Sequence, residues 1–179
     1  MSESQDNPRH DHDESNSEFE AFAKEVEGLL NNREVNRAIE VVSDIDEKFP
    51  DNPLAMHLAG IVWERTYLEL NAQGKGPSLI YYEKAEEYFR KAIKSDPSNF
   101  PLHAERLYAC LFVLGTQKDD LARLNESYHI ADALSNSPEE LFAMNYKHEK
   151  AIIASGIARL TQKKEDWESA DKEFEDLEC

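Results

Sequence analysis

Six histidines and two cysteines are the side chains that could hold a metal or act as nucleophiles. His10 and His12 alternate with Asp11 and Asp13 near the N-terminus, where no apolar pattern would build a scaffold to fix coordination geometry. His57, His103, His129 and His148 fall on four separate helical segments. None belongs to an HExxH pair or stands near a paired cysteine, and only one Glu-x-x-His pair occurs, Glu126 and His129, where carboxylate-bridged di-metal bundles require two. They read as surface or groove residues. Gly74-Lys75-Gly76-Pro77-Ser78 has the glycines and lysine of a phosphate loop but neither the GxxxxGK[ST] spacing nor a leading strand, and it reads as a hinge. Cys110 sits in an apolar helical stretch with no base partner in the sequence, and GxSxG is absent. These patterns predict a chain with no catalytic residues, no metal and no cofactor.

The charge is unevenly distributed. The net −17 places −4 on residues 1–17 and −7 on residues 165–179, which leaves −6 for the 147 residues between. A field of that sign repels nucleic acid and anionic lipid and favours a basic partner. No run of 18 apolar residues occurs, so a membrane span is not expected. The acidic, polar N-terminus resembles neither a signal peptide nor an Arg-rich transit peptide. With two cysteines and no CxxC, the expected setting is the cytoplasm or nucleus.

The elements that would position these groups are all helical. Residues 1–17 carry no aliphatic beyond Met1, and an acidic disordered tail is expected there. From Phe19 the apolar period is that of helices, with no alternating strand pattern. The breaks predict helices at 18–31, 34–48, 53–72, 78–95, 101–115, 118–135, 138–161 and 165–177. Asn52-Pro53 and Ser137-Pro138, the latter with Glu140, mark caps, and Pro50, Pro97 and Pro101 mark stops or starts. Short loops between them predict antiparallel hairpins.

Within the hairpins a repeat emerges. Ala85, Phe89, Ala92 and Pro97 are spaced +4, +3 and +5. The same spacing recurs with Ala38, Val42, Ile45 and Pro50, and more loosely with Glu126, Ile130, Ala133 and Pro138. First-helix positions agree in part: Phe22 in the first unit; Met56, Ala59, Gly60 and Trp63 in the second; and Ala104, Leu107, Tyr108 and Leu111 in a third shifted by one residue. An amphipathic helix of any bundle can show one such run; three prolines at corresponding places favour a repeat. The pattern resembles the tetratricopeptide-repeat family over residues 19–138. Its prolines are 47 and 41 residues apart rather than the family's roughly 34, with a long first helix and the Gly74–Pro77 loop taking up the excess in the middle unit. That resemblance implies an all-α fold, a short right-handed solenoid of stacked helix hairpins over 18–164, with a capping helix over 165–179.

It also implies a concave face that binds an extended or helical segment of another protein. On that face would lie His57, Ile61, Glu64 and Arg65 from the second unit and Glu105, Ala109, Phe112 and Val113 from the third. One subclass of the family grips the C-terminal carboxylate of heat-shock chaperones. Here Ala23, Glu27, Leu58 and Leu102 depart from that clamp and only Arg106 matches it, so a chaperone tail is not the expected ligand. A mixed apolar and acidic groove suits a basic or amphipathic segment. Leu107-YACLFVL is apolar nearly all round and is expected to be central. Ala151-IIASGIARL, rich in small residues, is expected to be the last buried helix. After it, Trp167, Ala170, Phe174 and Leu177 stripe an intensely acidic helix, which would either cap the stack or dock into a partner. Two functional readings follow: a non-catalytic scaffold subunit, or an acidic chaperone or regulator of a basic protein such as a histone or ribosomal protein.

Overall fold

The protein is described from a computed structural model over residues 9–138 and 140–177, with side chains left out at 9–16 and 140–142. Among these residues the chain is all helical: α1 Arg9–Asn31, α2 Val35–Val42, α3 Ile45–Lys48, α4 Pro53–Ala72, α5 Ile80–Ser95, α6 Phe100–Lys118, α7 Leu121–Ser135, α8 Glu140–Thr161 and α9 Lys164–Glu175, with a 3-10 turn at Pro97–Asn99.

The boundaries follow local chemistry. Asn52 caps α4, its side-chain oxygen accepting from the Leu54 and Ala55 amides at 3.0 and 3.1 Å, with Pro53 in the first turn. Asp120 caps α7 in the same way, accepting from Ala122 and Arg123 at 3.1 and 3.2 Å. Gly74 and Gly76 take φ of +69° and +56°, which glycine adopts without a Cβ clash, and so form the break after α4.

Three expectations differ. The segment expected as one helix over 34–48 is two, because Ser43 turns its hydroxyl back onto the Glu40 carbonyl at 2.7 Å and Asp44 leaves helical geometry (φ −110°, ψ 21°). The helix expected to stop at Gly115 runs on to Lys118, where Asp119 at φ 52° ends it. The first helix is described from Arg9 onward, and so takes in residues 9–17 of the stretch expected to be disordered. The remainder of that tail, residues 1–8, lies outside the described residues, as does the side chain of Glu140 in the expected capping box.

Consecutive helices pack on one another from α4 to α9, while α1, α2 and α3 pack around α4. Two core clusters result. One joins Val26, Val42, Ile45, Phe49, Ala59 and Val62; the other joins Phe89, Ala104, Leu107, Leu111 and Leu114. The repeat-like positions Ala85, Phe89 and Ala92 are fully buried. Small residues set how closely the hairpins approach. A Cβ on Gly60 would lie 2.6 Å from the Phe89 ring, and one on Gly115 would lie 2.7 Å from the Leu124 side chain. Here glycine is selected by contact between helices, not by a turn.

Alternate helices meet as well. His57 of α4 touches His103 of α6, and Arg90 and Arg123 bond Glu126 and Glu86 between α5 and α7. Tyr108 of α6 meets Tyr146 of α8 edge-on at 5.5 Å, and Tyr128 of α7 donates to Glu173 of α9. Each helix from α4 to α7 is thereby held by its neighbour and by the helix after that.

Candidate functional site

The face shared by α4, α6 and α8 carries the residues expected to form a groove. Positions three, four and seven apart on a helix share a face, so His57, Ile61, Glu64 and Arg65 line one side of α4, and Glu105, Ala109, Phe112 and Val113 one side of α6. Their environments are not uniform. Arg65 and Glu105 are exposed, while His57, Ile61, Ala109, Phe112 and Val113 are half-buried. Ile61 and Val113 pack against the second core cluster. The Phe112 ring comes within 3.6 Å of the Cβ position of Gly156 on α8, in the seam between α6 and α8.

Glu64 is only 5% exposed and faces Arg106 at 3.4 Å. Burial raises its carboxyl above the usual range, with Arg106 and then Arg65 opposing the rise. Arg106, the one residue that matched the chaperone-tail clamp, is thus engaged within the chain.

The expectation that the histidines are surface or groove residues fails for His103, which is buried against His57. His57 and His103 meet with their Nδ1 atoms 3.1 Å apart, so one ring donates and the other accepts. His103 is fully buried and its Nε2 has no hydrogen-bond partner among the described residues. Burial is the main cause that lowers the His57 pKa to about 4, followed by His103 and Arg106; His103 is lowered too, by burial. Both rings are neutral at pH 7 and act as a polar joint between α4 and α6. No spacing signal could have paired them, because the pairing depends on the axial offset of two helices 46 residues apart.

Two tyrosines that the sequence reading left out of the groove complete the face. Burial and then Glu149 and Glu105 push the Tyr108 hydroxyl up to about 12; burial and then Glu105 raise Tyr146 as well. Carboxylates therefore surround a pair of phenols along the α6–α8 seam. Leu54 and Leu102, 47% and 43% exposed, extend the same faces of α4 and α6 toward their N-terminal ends. Their signal was available, since each stands three residues before a groove position (His57 and Glu105).

Cys110 is fully buried and burial pushes its thiol up, which suppresses the nucleophilic thiolate. Among the described residues no three His, Cys, Asp or Glu side chains are grouped to hold a metal. A hollow of about 570 Å³ lies between α3, the start of α4 and the end of α5. Lys91 on its wall is already paired with Asp46 at 2.9 Å and Glu87 at 3.2 Å.

The C-terminal stripe divides. Ala170 is buried against α8 and Leu177 is half-buried, whereas Trp167 and Phe174 stay 42% and 40% exposed. Polar bonds hold the buried side of α9: Lys150 pairs with Glu173 at 2.9 Å, and Thr161 bonds Asp166 at 2.5 Å. Among the described residues no helix is long and apolar enough to cross a membrane. No protein-family model matches the chain, and neither a curated protein nor a solved structure matches it.

Proposed function

We propose that the protein is a non-catalytic adaptor that holds a segment of another protein across the face of α4, α6 and α8. The observation that carries this reading is the bridging of alternate helices. His57–His103 and Tyr108–Tyr146 tie α4, α6 and α8 together, while Arg90–Glu126, Arg123–Glu86 and Tyr128–Glu173 tie α5, α7 and α9. Two rows of alternating helices are what a stack of hairpins of the tetratricopeptide type produces, and one row then forms a continuous binding face. Ile61, Ala109 and Phe112 would supply contact area on that face, extended by Leu54 and Leu102. Glu105 and Glu149 would select a basic or amphipathic segment over an acidic one. On this reading α9 covers the end of the stack. The cytoplasm or nucleus is the setting we infer for such a scaffold.

The test uses residues exposed enough to change without unfolding the chain. A Leu54→Ser, Leu102→Ser, Glu105→Lys triple variant should keep its helical circular dichroism and lose the protein that co-purifies stoichiometrically with the wild type. A folded triple variant that retains the same partners at the same stoichiometry would refute this face as the binding site.

A further inference from the structure

The outward edge of α9 is a second docking surface, and we infer that it receives a basic amphipathic helix from another protein. Trp167 and Phe174 are seven residues apart, two turns along one face and about 10.5 Å in axial distance. Both remain large and exposed although Ala170 beside them is buried, so the helix docks on α8 without covering them. Aromatic side chains left outside a formed helix seam are the residue type that anchors interfaces. A partner helix with apolar residues at the same two-turn spacing would bury both.

Charge selects the occupant. Asp171 lies four residues after Trp167 and three before Phe174, between the two rings; Glu165 and Asp176 are exposed along the same helix, where Glu168 pairs with Lys164 at 2.6 Å. Residues 165–179 carry −7 in all. A second copy of α9 laid against this edge would set −7 against −7. The chain's own N-terminal segment, −4 over residues 1–17, would be repelled as well. A helix with lysine or arginine flanking its apolar stripe satisfies both the rings and the carboxylates. This surface is separate from the α4–α6–α8 face, so either reading can fail alone.

Trp167 is a built-in reporter, because Trp63 is the only other tryptophan. The probe is a synthetic Trp-free peptide of leucine and lysine, about 18 residues or five turns long, patterned as an amphipathic helix. Titrated into a Trp63→Phe background, it should shift the Trp167 emission to the blue. Calorimetric titration of the unaltered chain gives the affinity without that substitution. A Trp167→Ser, Phe174→Ser variant, changed only at exposed positions, should bind at least about 30-fold more weakly. The groove triple variant should bind as the wild type does. Raising salt from about 50 to 200 mM should weaken binding several-fold. Equal binding by a peptide with glutamate in place of lysine, or undiminished binding by the double variant, would overturn the inference. So would a blue shift on concentrating the protein alone with a dimer in sedimentation, which would make a second copy the occupant.

Discussion

Lowering the pH from 7 to 5 should destabilise the protein through His57, and the size of the effect follows from its setting. The ring has a pKa near 6.5 when unfolded and about 4 when folded, with burial the main cause and His103 and Arg106 adding to it. Between those values the unfolded chain binds a proton that the folded chain refuses. Stability is therefore full above pH 6.5 and is lost as the pH falls toward 4. At pH 5 the full shift corresponds to about 2 kcal/mol, and discounting for the half-exposed ring leaves about 1 kcal/mol.

Glu64 acts with the opposite sign. Its raised carboxyl contributes stability that is fully present below the unfolded value of 4.5 and is lost as the pH rises from there through its folded pKa. Glu87 and Glu126 are depressed by hydrogen bonds from Lys84 and Arg90, and their contribution is lost only at more acidic pH, as it falls through their lowered values. The clean observable is consequently a difference between two chains that share those carboxylates. Urea unfolding at pH 7 and pH 5 should show the wild type losing about 1 kcal/mol more than a His57→Gln variant, whose carboxamide can still bond His103. Parallel losses in the two proteins, or an NMR titration midpoint for His57 near 6.5, would refute the buried-joint argument.

Two further outcomes test the packing and the caps. Gly60→Ala puts a methyl into the Phe89 ring and should cost about 1–3 kcal/mol despite alanine's better helix propensity, and a Phe89→Leu change in the same chain should recover part of that loss in thermal melts. Asp120→Ala removes the cap of α7 together with its 2.8 Å pairing to Arg123, and should lower stability by about 1 kcal/mol in urea titrations.

Much of the helical framework was legible from local chemistry. Asn52-Pro53 marked the start of α4, the Gly74–Pro77 run marked its end, and the small–aromatic–small spacing of Ala85, Phe89 and Ala92 marked the buried side of α5. Each of these signals lies within a few residues, where backbone geometry alone relates spacing to a shared face. The proposed binding face was legible only as two half-faces, one on α4 and one on α6. The choice of which residues meet across them was not.

The amino-acid sequence determined an acidic, all-helical chain, the side of each long helix that would be apolar, and an aromatic stripe on its last helix. Tertiary structure decided that His57 meets His103, that Arg106 is spent on Glu64, and that α9 buries Ala170 while leaving Trp167 and Phe174 outside. The physical reason is that helical periodicity fixes only the angle at which a side chain leaves its own axis. The offset and rotation between axes come from contacts such as Gly60 against Phe89 and Gly115 against Leu124, made between residues 29 and 9 positions apart. Those contacts set which half-faces join and which aromatic rings stay exposed.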